Sequence, residues 1–360
     1  MAHRYTGGLA LVAVLALILG ACSGATPTPK PTTTGPTPAA ATPTSATTGQ
    51  WTVGIDIYYA ENTWSVQAAA ETKAAVVRDG SRIKQAFYTD SQGKADKQVS
   101  NIEDLIAKHV DGIVLAPIDP TAVVPAIEKA MNAGIKVCLA GARAETTNYT
   151  CYVNADDKDF GTVGAQWLAD KLGGTGNVIA LNGLAGISTS EDRFAGAQEV
   201  FAKYPGIKIV GQANADWDYA KGKTAAANLL AANPVIDGVW SQGGEMTRGA
   251  IEAFQAANRP LVPMTGEDNN GFLKLWKSLV DAKTPGFDAV GCSKPTWLFA
   301  QGLDNLLDAL DGKLAQKDQI IPTPTITNDT LTQYIRPDMP DALWTNTKLT
   351  DDEIRQLLGG

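Results

Sequence analysis

Two tryptophans stand in short loops that otherwise consist of polar residues. Trp64 follows Glu61-Asn62-Thr63, and Trp217 lies between Asp216 and Asp218. An indole ring can lie against the apolar C–H face of a sugar ring. Ionised carboxylates and arginines bind neighbouring hydroxyls through charge-assisted, often paired hydrogen bonds. Together these residue types predict a site for a polyhydroxylated ligand.

Five more residues share this chemistry and lie in segments that follow predicted strands. They are Asp119 and Arg143 in the first half of the chain, and Arg193, Gln242 and Asp268 in the second half. Their agreement at strand ends, more than any single residue, indicates one site.

Structural roles compete with binding at four of these positions. Trp64, at a helix start, is equally suited to core packing. Asp119 and Asp218 could cap the helices that follow them, because aspartate accepts hydrogen bonds from free helical N–H groups. Arg193 could be a solvated residue of a helix.

Residues that commonly catalyse reactions are scarce. The only histidines are His3 and His109, and His109 follows a predicted helix, where it suits a capping role. The three cysteines beyond Cys22 are too few and too scattered for a zinc site, and neither a Gly-x-Ser-x-Gly elbow nor a Walker loop occurs. A pair of acids could still cleave glycosides. We therefore predict no catalytic residue, no metal and no cofactor, and favour a binding protein over an enzyme.

The first 22 residues have the pattern of a secretory signal. Arg4 precedes an apolar run from Leu9 to Leu19, which is shorter than the ~20 residues that a membrane-spanning helix needs. The sequence Leu-Gly-Ala-Cys that ends at Cys22 resembles a bacterial lipobox, which implies removal of residues 1–21 and a diacylglycerol on the Cys22 thiol. Residues 22–50, rich in Thr and Pro, are expected to form a tether. The remaining chain would then work outside the cytoplasm, anchored to the cell membrane by lipid.

The charge of the chain excludes some partners. The sequence carries 30 Lys and Arg against 38 Asp and Glu, and removal of residues 1–21 takes away only Arg4, which leaves 29 against 38, a net charge of −9. Nucleic-acid binding needs clustered basic residues, and an acidic surface is repelled by anionic lipid. We therefore expect no nucleic acid as a partner, and membrane contact through the Cys22 lipid only.

Two cysteines lie in consecutive strand-like segments, Cys138 in 135–140 and Cys151 in 150–153. Neighbouring strands could bring them together, and an oxidising compartment would allow a disulfide. Because no Cys-x-x-Cys is present, such a bond would be structural. Cys292 is expected to stay a buried free thiol.

From Trp51 onward, β-rich segments alternate with helical ones, which predicts parallel sheets with crossover helices. The pattern recurs after 126 residues, since Asp111-Gly-Ile-Val corresponds to Asp237-Gly-Val-Trp, and Asp90 to Asp216. We interpret the repeat as two homologous doubly wound lobes; the alternative is one large sheet with coincidental spacing. Ligands of such sheets bind at the carboxyl ends of the strands, so the candidate residues would face one cleft between the lobes.

From Val53 to about Thr327 the chain resembles sugar-binding proteins of the type I periplasmic binding fold, in the ribose and galactose branch. These proteins are the capture components of ABC importers. The resemblance rests on four segments, which are Asp-Gly-Ile-Val-Leu-Ala-Pro-Ile-Asp-Pro at 111–120, Asp-Arg-Phe-Ala-Gly at 192–196, Ala-Asp-Trp-Asp at 215–218 and Gly-Glu-Asp at 266–268.

The resemblance implies an α/β fold of two doubly wound parallel-sheet lobes joined by a three-stranded hinge. It places the crossings between lobes near Ala155, Ser293 and Thr327. The N-terminal lobe would then comprise residues 51–155 plus 294–326, and the C-terminal lobe 156–293 plus 327–360.

Roles for individual residues follow from the same resemblance. It implies that Asn62 and Trp64 lie on the wall of the first lobe and that Arg193 and Trp217 lie on the wall of the second. Asp268 would bind hydroxyls from beside the hinge, and Ser293 falls where the family usually has an amide at the last crossing between lobes. Asp119, Arg143 and Gln242 complete the predicted ligand-binding set.

The chain departs from the ribose-binding pattern in two loops. Ala140-Gly141 stands where ribose binders have Asp-Arg, with Arg143 slightly displaced. Gly243 stands where they have asparagine, flanked by Gln242 and Glu245. We expect these glycines to open the cleft for a sugar larger than ribose or differently substituted.

We expect the protein to act as a monomer that closes over its sugar and then docks on the permease of an ABC importer. Two other hypotheses stay open: a lipid-anchored sugar sensor that presents its closed form to a receptor kinase, and a surface glycosidase. A neighbouring permease gene would favour transport, and turnover of a sugar would favour the glycosidase.

Overall fold

The computed structural model describes residues 50–313 and 316–359, where strands and helices alternate as predicted. The predicted signal, Cys22 and the tether up to residue 49 lie outside the described residues. The strands are β1 (Trp51–Ile57), β2 (Ile83–Asp90), β3 (Gly112–Leu115), β4 (Lys136–Ala140), β5 (Cys151–Ala155), β6 (Thr175–Asn182), β7 (Gly206–Asn214), β8 (Gly238–Ser241), β9 (Met264–Glu267), β10 (Ala289–Cys292), β11 (Asp318–Ile321) and β12 (Thr325–Ile326).

Helices follow most of these strands. They are α1 (Thr63–Arg78), α2 (Ala95–Ala107), α3 (Val124–Asn132), α4 (Asp157–Lys171), α5 (Ser188–Phe201), α6 (Tyr219–Ala232), α7 (Gly244–Ala256), α8 (Asn270–Asp281), α9 (Leu298–Leu310), α10 (Leu331–Tyr334) and α11 (Asp351–Leu358). Among the described helices, none has both the length and the apolar character needed to cross a membrane.

The strands form two sheets with the same internal order. The first sheet runs β11-β5-β4-β3-β1-β2 and the second runs β12-β10-β9-β8-β6-β7. All strand pairs in these sheets are parallel except β10 with β12, which is antiparallel. Each half therefore repeats the doubly wound order 2-1-3-4-5, and the predicted fold class is confirmed.

The sequence repeat has a physical basis in two aspartates. Asp111 precedes β3, and its carboxylate accepts a hydrogen bond from the backbone N–H of Thr52 in β1 at 2.8 Å. Asp237 precedes β8, and its carboxylate accepts one from the N–H of Asn177 in β6 at 2.7 Å. Each aspartate thus fixes the start of one central strand against its neighbour through a charge-assisted bond.

Helices pack on both sheets, and two lobes can be defined by them. The first lobe is the first sheet with α1, α2, α3 and α9; the second lobe is the second sheet with α4 to α8 and α10. Central strands such as β3, β8 and β9 are buried along their whole length because helices cover both of their faces.

The chain passes between the lobes at three places. Residues 327–359, which follow β12, are named the C-terminal segment. The first crossing follows β5 at Asp156, the second lies at 293–297 between β10 and α9, and the third lies between β11 and β12. Thr325–Ile326 pairs with Gly291–Cys292 at the edge of the second sheet. These two residues therefore belong to the second sheet, whereas the sequence analysis placed residues up to 326 in the first lobe.

The C-terminal segment was also expected in the second lobe, and it contacts both lobes. α10 packs on α8 of the second lobe. Farther on, buried Leu349 and Ile354 belong to a cluster that packs against Ala70 and Ala74 of α1 in the first lobe. The amphipathic pattern of this segment shows that it buries a face but does not show which lobe covers it.

One disulfide lies in the first sheet. Cys138 and Cys151 are directly paired residues of β4 and β5, and the structure joins them by a disulfide bond. Cys292 is free and buried at the end of β10. The bond closes the loop of residues 139–150, which carries Gly141 and Arg143 toward the second lobe.

Candidate ligand-binding site

A small closed cavity lies where the carboxyl ends of the two sheets face each other. Strand-end loops of the first lobe, α5 and strand-end loops of the second lobe, the second crossing and the C-terminal segment all contribute to its wall. The lining residues are Tyr58, Asn62, Trp64, Gly141, Thr189, Arg193, Trp217, Glu267, Lys294 and Trp344. The cavity is about 20 Å³, which is room for little more than a water molecule.

The first-lobe wall is positioned by the start of α1. Asn62 caps this helix, since its side-chain oxygen accepts a hydrogen bond from the N–H of Ser65 at 2.8 Å. The amide group of the same side chain donates across the cleft to the carbonyl oxygen of Asp216 at 3.3 Å. Trp64 is 8% exposed, and its indole N–H has no hydrogen-bond partner among the described residues.

The second-lobe wall holds Trp217 in a strained loop. Asp216 and Trp217 have φ values of 54° and 55°, in the left-handed region that non-glycine residues seldom adopt. The indole lies against Gly183 and Gly243, where an added Cβ would come within 2.1 Å and 2.8 Å of the ring. Trp217 is 5% exposed and, like Trp64, has a buried indole N–H without a partner in the described structure.

This arrangement corrects the expectation that Gly243 opens the cleft. The space beside Gly243 is occupied by the Trp217 ring, so the glycine seats an aromatic side chain. Gly141 has a φ of 80°, and a Cβ there would meet the Phe299 ring at 3.5 Å. The contact at Gly141 is of ordinary van der Waals length, so its left-handed backbone, and not a lack of space, requires glycine there. Gly243 allows the Trp217 ring to pack closely and does not enlarge the cavity.

Three charged residues, Arg193, Glu267 and Lys294, form the floor of the cavity, and a fourth, Asp157, pairs with two of them from outside the lining. Arg193 pairs with Asp157 at 3.0 Å and with Glu267 at 3.2 Å, and Lys294 pairs with Asp157 at 2.9 Å. All four side chains are at most 3% exposed. Burial raises the pKa of Glu267, and it lowers the pKa of Lys294 against the opposing effect of Asp157. We name this set the charge cluster.

The cations of the charge cluster are already saturated by protein groups. Lys294 donates to both carboxylate oxygens of Asp157 and to the carbonyl oxygen of Gly141. Arg193 also donates to the carbonyl oxygen of Gln242, and its guanidinium carbon lies 3.6 Å from the centroid of the Phe160 ring. Two cations and two carboxylates cancel, so the floor offers no surplus charge to a ligand.

Contacts between the lobes close the mouth of the cavity. The Thr189 hydroxyl donates to the carbonyl oxygen of Gly141 at 2.9 Å, and the N–H of Arg143 donates to the Ser188 hydroxyl at 3.0 Å. The Arg143 side chain forms an ion pair with Asp192 at 2.9 Å. Arg143, a predicted ligand residue, thus lies at the rim and joins the two lobes.

Four of the predicted ligand residues meet at the cavity, namely Asn62, Trp64, Arg193 and Trp217. The full burial of Arg193, at 1% exposed, excludes the alternative of a solvated helix residue. Two others are near the cleft without lining it: Arg143 at the rim, and Gln242, whose amide donates to Asn182 and to the carbonyl oxygen of Ser190.

Hydrogen bonds within a turn account for the position of Asp119, which does not cap α3, since the N-cap of that helix is Val123. One of its carboxylate oxygens accepts hydrogen bonds from the N–H groups of Thr121 and Ala122, both at 2.8 Å, in the turn before α3. These bonds lower the pKa of Asp119. Asp218, in contrast, caps α6 through the N–H of Lys221 and so has a structural role. Asp119 does not line the cavity.

Asp268 and Ser293 lie at the hinge behind the cavity. The Ser293 hydroxyl and the N–H of Asn346 donate to one oxygen of Asp268, at 2.9 Å and 2.8 Å. The other oxygen of Asp268 is buried without a partner among the described residues. Burial, with a contribution from neighbouring Glu267, raises the pKa of Asp268 to about 7.

Six lining residues were not predicted from the sequence as ligand contacts: Tyr58, Gly141, Thr189, Glu267, Lys294 and Trp344. Glu267 is adjacent to the predicted residue Asp268, and Lys294 is adjacent to the predicted residue Ser293. At both strand ends the sequence analysis therefore selected the neighbour of the residue that lines the cavity. Trp344 carried no signal, because the segment after β12 has no strand end to mark it.

Comparison with known proteins identifies the family. The profile described as "Periplasmic binding protein domain" matches residues 53–314, which is most of the chain. The chain belongs to the periplasmic binding protein family. It is 28% identical over 268 residues to the ribose import binding protein of Bacillus subtilis (strain 168), which covers 74% of this chain and 84% of that protein. It is 30% identical over 244 residues to the xylitol-binding protein of Mycolicibacterium smegmatis, which covers 67% of this chain and 68% of that protein.

Solved structures of the family share the fold. An ABC transporter solute binding protein from Thermobispora bispora aligns with a TM-score of 0.75 at 24% identity, over 85% of this chain and 94% of that one. The periplasmic binding protein of the arabinose ABC transporter from Shewanella sp. ANA-3 aligns with a TM-score of 0.69 at 25% identity, over 78% and 93%. The resemblance drawn from the sequence motifs is thereby confirmed.

The hinge carboxyl generates a prediction about pH. The folded protein retains the Asp268 proton up to a pH of about 7, whereas the unfolded chain releases it near the ordinary value of 3.8. Folding therefore takes up a proton between these values, and the stability so gained is present at low pH and lost as the pH rises. Relative to Asp268→Asn, the free energy of unfolding of the wild type should fall between pH 4 and pH 8 by up to about 4 kcal/mol.

Urea denaturation of both proteins across this pH range measures the difference. Asp281→Asn, at an exposed position of α8, is the control and should follow the wild type. Parallel curves for the wild type and Asp268→Asn would show that the hinge carboxyl is ionised in the folded protein throughout.

Proposed function

We propose that the protein captures an uncharged sugar or polyol of single-ring size outside the cytoplasm, closes around it and delivers it to the permease of an ABC importer. The observation that carries this proposal is the pair of buried, unpartnered indole N–H groups, Trp64 from one lobe and Trp217 from the other. A buried donor without an acceptor costs about 1–3 kcal/mol. Hydroxyl oxygens of a bound sugar would satisfy both donors at once and so favour closure.

The charge cluster supports an uncharged ligand. An anionic ligand would need a free cation, yet Arg193 and Lys294 are already paired with Asp157 and Glu267. Breaking such a buried pair costs about 3–5 kcal/mol, which an anion would have to offset. A neutral polyol can instead accept and donate hydrogen bonds at the edges of the cluster. Its apolar C–H faces would lie against the indoles.

The size of the cavity supports a binding cycle with lobe movement. A space of about 20 Å³ cannot hold a sugar, so the lobes must separate to admit one and must then close around it less tightly than in this structure. Contacts such as Thr189 with Gly141 and Arg143 with Asp192 join the lobes only when they are close. A ligand that touches both walls adds to these contacts, and only such differential contact shifts the balance between open and closed forms. A shift from mostly open to mostly closed requires roughly 5 kcal/mol.

Binding without turnover is part of the proposal, because the relatives named above are binding proteins. The sugar should therefore be recovered unchanged from the complex. A transport protein docks its closed form on a permease, whereas a sensor presents its closed form to a receptor kinase. We propose the transport role for this protein.

We further propose that the lipid on Cys22 holds the protein at the cell membrane. Support comes from the lipobox-like sequence that ends at Cys22 and from the acidic composition, which disfavours electrostatic attachment to anionic lipid. Cells that produce the full chain with Cys22→Ala should release it from the membrane fraction, and it should no longer incorporate labelled palmitate. Equal labelling of the wild type and Cys22→Ala would contradict the anchor.

The site itself can be tested with two substitutions. Trp64→Ala and Trp217→Ala each remove one wall of the cavity and one unpartnered N–H donor. Each should weaken binding of a sugar at least roughly tenfold. Isothermal titration calorimetry with D-ribose, D-allose, D-galactose, xylitol and myo-inositol identifies the tightest of these probes for the wild type and then compares the variants.

Trp167→Ala is the control for this experiment. Trp167 is a partly buried residue of α4 that lies outside the cavity and contacts Lys171. Its substitution should leave the dissociation constant unchanged. If neither Trp64→Ala nor Trp217→Ala differs from Trp167→Ala, the ligand binds elsewhere and the proposed site is wrong.

A further inference from the structure

We propose that Trp344, carried by the C-terminal segment, is a ligand-binding residue that completes the site described above and helps to select its ligand. The inference rests on the proposed function. Trp344 lies 30 positions past residue 314, where the match to the family profile ends. The proposal therefore assigns part of the binding site to a segment outside the matched family domain.

Trp344 faces the same cavity as the two predicted tryptophans. It is fully buried, at 0% exposed, and lines the cavity together with Trp64 and Trp217. Its indole N–H donates to the Thr63 hydroxyl at 2.8 Å. Because this polar edge is already bonded, the surface that Trp344 offers to the cavity is the apolar part of its ring. It can contact C–H groups of a ligand, while Trp64 and Trp217 still have free donors.

The backbone of Trp344 is fixed by buried polar groups from both lobes. The Gln67 side chain, fully buried in α1, accepts from the N–H of Trp344 at 3.0 Å and donates to its carbonyl oxygen at 2.9 Å. Asn269, at the start of α8, forms an antiparallel bridge with Trp344. A buried amide that satisfies both the N–H and the carbonyl oxygen of one residue holds that residue in a defined position.

The residues after Trp344 are held in the same way. Asp268 of the second lobe accepts from the N–H of Asn346 at 2.8 Å. Glu71 of the first lobe accepts from the Thr347 hydroxyl and from the N–H of Lys348. Both lobes therefore spend buried polar groups on this short segment. Networks of buried hydrogen bonds define the position of the residues that they hold, as expected for a segment that places a ring at a binding site.

A third indole at a cavity this small has a consequence for binding. A sugar in the closed site would contact aromatic surface from the first lobe, the second lobe and the C-terminal segment. Aromatic contacts contribute beyond the area that they bury. Loss of the Trp344 ring should therefore lower affinity even where another apolar side chain replaces it.

The test compares Trp344→Leu with Trp276→Leu. Trp276 on α8 is a matched control, because it is also 0% exposed and donates its indole N–H to a side-chain oxygen, that of Asn328 at 2.7 Å. It lies outside the cavity. Calorimetry with the tightest-binding sugar of the five probes should show a dissociation constant about tenfold higher for Trp344→Leu. The constant for Trp276→Leu should be unchanged, although its melting temperature falls.

A second measurement covers the case in which Trp344→Leu fails to fold. Wild-type protein labelled with 5-fluorotryptophan gives ¹⁹F resonances, and Trp344→Phe identifies that of Trp344. Addition of the same sugar should shift the Trp344 resonance together with those of Trp64 and Trp217, and should leave the Trp276 resonance in place.

The outcomes separate this inference from the proposed function. If a sugar binds and shifts the Trp64 and Trp217 resonances, but Trp344 stays unchanged in both experiments, the role of Trp344 is refuted and the site stands. Equal weakening by Trp344→Leu and Trp276→Leu would reduce Trp344 to a stability residue and also refute it. If none of the five probes binds the wild type, the proposed function fails, and the inference falls with it.

Discussion

The ion pairing of Lys294 and Arg193 with Asp157 and Glu267 is the constraint on which the rest of the site depends. Buried ions are tolerated only when their partners are in place. Asp157 begins α4 directly after the first crossing, and Lys294 follows β10 at the second crossing. One ion pair therefore ties two crossings together, while Arg193 and Glu267 attach α5 and the end of β9 to the same point. The floor of the cleft is thereby fixed in position and electrically neutral.

The walls above this floor are divided between elements that can move apart. Trp64 belongs to the first lobe and Trp217 to the second, and their buried N–H groups lack partners among the described residues. Trp217 has a left-handed backbone conformation, and its ring packs against Gly183 and Gly243. This strained backbone conformation places the indole at the cavity. A ligand can accept hydrogen bonds from both indoles only when the lobes are close. It therefore binds the closed form more tightly than the open form. The C-terminal segment, bonded to Gln67 in one lobe and Asp268 in the other, adds a third wall near the hinge.

Much of the fold could be predicted from local sequence, because its cause is local. Asp111 and Asp237 bond the neighbouring strand in the same way, so the repeat of 126 residues appeared in the sequence and in both sheets. Trp217 between two aspartates was recognisable as a cleft residue. In contrast, Asp119 resembles a ligand residue and a helix cap in sequence, and in the structure it bonds the N–H groups of a turn that precedes α3.

The residues that sequence analysis missed depend on distant partners. Lys294 is an ordinary lysine in sequence, and it becomes part of the floor because Asp157 lies 137 positions earlier in the chain and beside it in space. Trp344 depends on Gln67, which is 277 positions away. Gly243 was expected to widen the cleft, since the neighbouring sequence does not indicate that the Trp217 ring fills the space beside it. Periodicity and spacing report which element a residue belongs to, and not what packs on it from elsewhere.

Small-angle X-ray scattering tests most directly whether sugar binding is coupled to lobe closure. The exported chain is measured with and without a sugar that calorimetry shows to bind. The sugar-free protein should have a larger radius of gyration, and saturation with the sugar should reduce it to a value slightly above that calculated for this structure, because the lobes must leave room for the sugar. Identical scattering profiles for the free and the saturated protein would contradict the account, because the closed cavity is too small for a sugar to enter without separation of the lobes.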